Sequence, residues 1–169
     1  MANLDQIKQI LEFLSEINLP YQVTQFEEDT FLPGVRHNKG VLEISIEKVQ
    51  YSGDILHEAG HYAVCEPTER QFLDGNIYKT GLQHQRAKQQ MMGEEMAATA
   101  WSVAAAIHLG FSLQVVFHEA GFRGASESLI TAFENGGGIG HPLLGAYQMT
   151  CPKRGFPHMS AWIRTLSWA

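Results

Sequence analysis

The run His57-Glu58-Ala59-Gly60-His61 restricts what this chain can become more than any other feature. Residues four apart share one face of a helix, so in that conformation His57 and His61 offer two imidazoles to a single metal ion. Glu58 follows the first of these and is placed to take a proton from a water held at the metal. Local signals favour a helix: Asp54 as its N-cap, Ile55, Leu56, Ala63 and Val64 as apolar surface, and Pro67 just beyond its end. Two imidazoles do not complete a hydrolytic zinc site, which takes three protein ligands and keeps a fourth position for water. The fold therefore has to bring a third donor to this helix from elsewhere in the chain.

At 169 residues the chain is long enough for one domain, residues 1–169, with a core of its own. An apolar content of 44% fits a soluble globular protein, and a formal net charge of -6 argues against nucleic acid or an anionic membrane as partner. Cys65 and Cys151 are too few for a disulfide framework and are read as reduced thiols, Cys65 in a packing role. Met1 to Ile10 carries no basic start followed by an apolar run, and the stretch Ala97 to Leu109 is too short to span a bilayer. A cytoplasmic setting without membrane attachment is expected, and the oligomeric state stays open.

Leu4, Ile7, Ile10, Leu11, Leu14 and Ile17 recur at helical spacing, predicting an opening amphipathic helix that ends at Asn18 and Pro20. Tyr21 to Phe26 reads as a short strand. Leu32 to Arg36 and Val41 to Ile46 read as strands flanking a turn over His37-Asn38-Lys39-Gly40. After the metal helix, Glu66 to Gln90 is polar and forms a connection into a second long helix, Met91 to Leu109, stopped by Gly110. Shorter helices follow over Leu113 to Ala120 and Glu127 to Glu134, with Ser112 and Ser126 as N-caps, and another near Ala161 to Trp168. Gly136 to Gly140 reads as a flexible loop.

The second long helix supplies the missing donor. Glu95 shares a face with Ala98, Thr99, Ser102 and Ala106, all small, and Ala59-Gly60 gives the first helix matching low relief. Met96, Trp101, Val103 and Ile107 are left to fill the core. Glu94, about a third of a turn away, is the competing ligand, and is otherwise a solvated partner of Glu95 at the helix start. Thr99 is placed to hydrogen-bond the ligand carboxylate.

His57-Glu58-Ala59-Gly60-His61, followed by Glu95-Met96-Ala97-Ala98-Thr99-Ala100-Trp101, resembles the ImmA/IrrE-type metallopeptidases over about Leu4 to Leu109. In that family an H-E-x-G-H helix is followed by a helix carrying E-x-x-A and then an N-x-F-A-type run. Here Thr99 stands where Asn is usual and Trp101 where Phe is usual. The spacing to Glu95 is long, and no helix-turn-helix reader is expected within these 169 residues. The resemblance implies an α+β, zincin-like minimal metallopeptidase domain, with His57, His61 and Glu95 as ligands of Zn2+ and Glu58 as general base. The activity it implies is hydrolysis of a peptide or protein substrate. The alternative is a non-catalytic interaction module in which zinc joins two helices, with Cys65 as the nearest extra ligand.

The remaining candidates carry less. His118-Glu119-Ala120-Gly121 repeats four residues of the motif but has Phe122 in place of the second histidine, and is expected to lie on an ordinary helix. His141, after the glycine loop, is a candidate for stabilising the oxyanion, with Tyr147 and His158 behind it. The glycine loop lacks the Lys-Ser/Thr ending of a phosphate-binding loop. Trp162 and Trp168 read as core or as a partner-binding tail, and His37, His84 and His108 as structural or solvated.

Overall fold

A computed structural model describes residues 2–74 and 88–167. It is α+β: a three-stranded sheet and a set of helices around one large apolar cluster that runs from Ile7 to Met149. Expectations for residues 75–87 and 168–169, including the polar run around His84 and the role of Trp168, lie outside the described residues.

Helix α1 (Leu4–Glu16) is capped by Asn3, whose side chain accepts from the amides of Asp5 and Gln6. Ile7, Ile10, Phe13 and Leu14 face the core, while Leu4 is 66% exposed because it lies in the solvent-facing first turn. The helix ends as the amide of Leu19 reaches back to the Leu14 carbonyl, with Asn18 in the left-handed region.

Strand β1 (Tyr21–Val23) is shorter than the expected Tyr21 to Phe26 and pairs in parallel with β3 (Val41–Ile44). On its other side β3 pairs antiparallel with β2 (Val35–Asn38), giving the order β1-β3-β2. The hairpin turn is only Lys39-Gly40, both at positive φ, so His37 and Asn38 belong to the strand and not to the turn. That moves β2 along from the expected Leu32 to Arg36 and settles which side chains point inward. Val35 and His37 face the buried side, with Ile44 and Leu42 opposite them. Arg36 and Glu43 form an ion pair on the other side at 2.6 Å.

Helix α2 (Ser52–Val64) is buried along its whole length apart from partly exposed Tyr62. Its N-cap is Tyr51; Asp54 lies inside the first turn and bonds a distant side chain, so the expected cap is corrected. The last carbonyls of α2 are met by two arginines. Arg70 donates to Tyr62 and Ala63, and the Arg164 guanidinium donates to Val64 and pairs with Glu66 at 3.0 Å.

Helix α3 (Lys88–His108) packs on α2 through the predicted small residues, with Ala98, Thr99, Ser102 and Ala106 all buried. Trp101 and Val103 fill the core, and the Trp101 indole donates to the Trp162 carbonyl. Met96 and Ile107, expected inside, are 38% and 45% exposed. No described helix is long and apolar enough to cross a membrane.

Beyond Gly110 the chain is less helical than expected. Leu113–Val115 is one 3-10 turn capped by Ser112, and His118 lies in a turn, not on a helix. The chain bends there because Val115 presses against Gly53, where a Cβ would meet the Val115 carbonyl oxygen, and because His118 bonds Asp54. Helix α4 (Ser126–Glu134) follows, but the Ser126 hydroxyl donates to the His118 carbonyl and so does not cap it. Gly140, at φ 82, opens α5 (His141–Ala146) and lies on the α3 backbone, where a Cβ would fall 1.9 Å from the Met96 carbonyl oxygen. Residues 161–167 are irregular; Trp162 packs on Phe13 and Trp101, which is the core role and not a free tail.

Candidate metal centre

Two helices define the centre. His57 and His61, one turn apart on α2, bring their Nε2 atoms to 3.3 Å. From α3, Glu95 places Oε1 3.2 Å from His57 Nε2 and Oε2 2.8 Å from His61 Nε2. Each Glu95 oxygen meets a different imidazole, and one donor atom from each of the three residues lies within 4.8 Å of the other two, close enough to share a single ion. Among the described residues these three form the group able to hold a metal ion. The donor chemistry, two imidazoles and a carboxylate, suits a borderline divalent cation.

Of the two adjacent glutamates, Glu95 reaches the histidines, whereas Glu94 is outside the donor group. Their burial runs against expectation: Glu94 is buried at 4% exposure and is not a solvated partner, while the Glu95 side chain is 36% exposed. Burial opposes ionisation of Glu95, yet hydrogen bonds from His57 and His61 hold its carboxyl far below the usual carboxylate range. Burial likewise opposes the charge on His57, but the hydrogen bond to Glu95 and the charges of Glu95, Glu58 and Asp54 together outweigh it and raise the imidazole above its ordinary value. The groups that bond one another here are the donors a cation would use.

Glu58 points to the sheet side of α2. Its Oε2 lies 3.1 Å from Nε2 of His37, with both side chains buried. Burial by itself would raise the Glu58 carboxyl, but contact with His37 and the nearby charges of His61 and His57 keep it below its ordinary value. The approach is of ion-pair length, although the ring N–H is poorly directed for a hydrogen bond. Reading His37 as merely structural or solvated is therefore incomplete. The signal lay in the hairpin: with the turn confined to Lys39-Gly40, strand parity puts His37 on the inner face opposite Leu42.

Two further residues near the centre escaped sequence reasoning. His118, read as part of an ordinary helix, bonds buried Asp54 at 2.8 Å and stacks on Tyr51 at 3.7 Å. Burial raises the Asp54 carboxyl more than His118 lowers it. Phe122 meets the His57 ring edge-on at 6.0 Å, held there by left-handed conformations at both Phe122 and Arg123. Nothing in local sequence signalled that two bulky non-glycine residues would adopt them.

The remaining candidates lie elsewhere. The Thr99 hydroxyl donates to the Glu95 backbone carbonyl at 3.0 Å and not to the ligand carboxylate, because i to i−4 bonding is the nearer option inside a helix. His141 stacks on Phe156, Tyr147 is buried beneath the Arg164 guanidinium, and His158 is exposed. None of these three joins the donor group. Cys65 is buried against Leu73 and Tyr62, also outside the group. Comparison of the chain with family models, with curated proteins and with solved structures returns no match.

Proposed function

We propose that this chain is a zinc-dependent peptidase of zincin-like fold, akin to the ImmA/IrrE-type metallopeptidases, with Glu58 as its general base. The observation that carries this reading is the meeting of two imidazoles and a carboxylate from two helices, close enough to share one ion, beside a carboxylate that stays out of the donor group. When bound, a divalent ion there supplies Lewis acidity, polarising a carbonyl and lowering the pKa of a coordinated water toward about 7.

The chain's own residues account for the rest. His57 and His61 bind through Nε2, which requires both to be neutral on that nitrogen, and Glu95 contributes the negative charge. Glu58, held anionic, accepts the proton of the attacking water and returns it to the leaving amine. The Phe122 ring against His57 limits water on that side. A purely structural zinc site would need a fourth protein donor, and among the described residues none is present; Cys65 faces its own apolar cluster.

The test uses the zinc-loaded full chain and a pool of quenched fluorescent peptides. Glu58→Gln should retain zinc and lose turnover by about 10²- to 10⁴-fold, the contribution typical of a positioned base. Unchanged turnover in that variant, or no cleavage by the zinc-loaded wild type, would overturn the reading.

A further inference from the structure

His37 is 1% exposed, neither ring nitrogen has a formed hydrogen bond, and its Nε2 lies 3.1 Å from the Glu58 carboxylate. Its neighbours on the inner face, Val35, Leu42 and Ile44, are all apolar. A leucine would pack at such a place without leaving a buried polar atom unsatisfied, which costs about 1–3 kcal/mol. An imidazole there is best accounted for by what it does to Glu58. A glutamate has three rotatable side-chain bonds, and a general base must be held within a fraction of an ångström of its working position.

We propose that His37 is the positioning residue of Glu58, holding one carboxylate oxygen from the sheet side so that the other receives the proton. The inference rests on Glu58 being the base of a hydrolytic site. In this role His37 carries its proton on Nε2, 3.1 Å from Oε2 of Glu58, and a rotation of the ring turns that proton onto the oxygen. The proton taken from water then goes to Oε1 and leaves from Oε1 to the amine, while His37 keeps its own throughout. The sheet thereby takes part in the chemistry: β2 carries the positioning residue, α2 the base and two ligands, and α3 the third ligand.

The experiment compares His37→Leu, His37→Gln and Glu58→Gln in the zinc-loaded full chain. His37→Leu should lower kcat about 10²-fold, the cost of a misplaced reacting group, with KM and zinc affinity little changed. His37→Gln, whose amide N–H can still donate, should recover part of that loss. In the Glu58→Gln background, His37→Leu should have no further effect. Independently of turnover, the His37 Nε2 resonance in a side-chain 15N spectrum should move when Glu58 becomes Gln. Wild-type kcat in His37→Leu, or an unmoved resonance in Glu58→Gln, overturns the inference. If His37→Leu fails to fold, the glutamine variant and the spectrum decide. Peptide cleavage by wild type together with full activity in His37→Leu removes only this inference, whereas an inactive zinc-loaded wild type removes the hydrolase reading and the role built on it.

Discussion

Replacing Gly60 by Ala probes the spacing on which the proposed metal centre depends. Gly60 lies between the two histidines and faces α3, where an added Cβ would stand 2.8 Å from the Ala98 carbonyl oxygen and 3.2 Å from the Ala98 Cα. Both are backbone atoms, so no side chain can swing aside, and the helices must part by roughly half an ångström to reach ordinary contact. Overpacking of this kind costs about 1–3 kcal/mol. The better helix propensity of Ala returns about 1 kcal/mol. The metal-free protein should therefore lose on the order of 1 kcal/mol, a drop of about 2–4 °C in Tm for a chain of this size. The metal should suffer more. His57 and His61 ride on α2 and Glu95 on α3, so parting the helices stretches the 3.2 and 2.8 Å separations together. Metal sites accept distance errors of about 0.2 Å, and disturbing the orientation of ligands costs about ten- to a hundredfold in affinity. Calorimetry of the metal-free protein and competition with a chromophoric chelator give the two numbers. A variant that melts lower but binds zinc as tightly as wild type would refute the claim that helix spacing sets the donor triangle. A variant that melts higher would refute the close contact itself.

Two other outcomes follow from the same geometry. Glu95→Gln should weaken zinc binding by more than about 100-fold, beyond the range for changes outside the ligand set, while Glu94→Gln should stay well below that. Equal losses in chelator competition would place the third donor elsewhere. The metal-free protein should also have a defined pH window. Glu95, depressed in the fold, contributes stability above its ordinary value of 4.5 that is lost as pH falls through its folded value. His57, raised in the fold, contributes stability that is full below 6.5 and is lost as pH rises through its folded value. Metal-free Tm should then decline from mildly acidic toward alkaline pH, whereas the gain in Tm on adding zinc should grow, because protons no longer compete for the imidazoles. A metal-free Tm that rises over that range would contradict the His57–Glu95 coupling.

The elements near the centre were legible where their cause was local. The helix over the histidine motif needs only periodicity and a following proline, and the choice of Glu95 over Glu94 needs only that residues three and four apart share a face. Legibility failed where a distant group competed. Asp54 has the chemistry of a cap, but His118 takes its carboxylate from sixty-four residues away. Ser126 also has the chemistry of a cap, but the His118 carbonyl takes its hydroxyl. His37 was misjudged by a single step of register: assigning it to the turn instead of the strand discards the parity that aims it at Glu58.

Sequence alone determined that two imidazoles and an adjacent carboxylate would lie along one helix, and that a small-faced helix carrying a glutamate would pack against it. Both follow from the 3.6-residue period, which no tertiary contact can alter once the helices form. Only the tertiary structure decided that the two Glu95 oxygens come within 2.8–3.2 Å of the imidazoles, that His37 meets Glu58 from the sheet, and that Phe122 lies edge-on to His57. Those distances depend on how closely Gly60 lets α3 approach and on the register of a two-residue turn. Both are set by packing between segments far apart in the chain, and so neither is written into any local pattern.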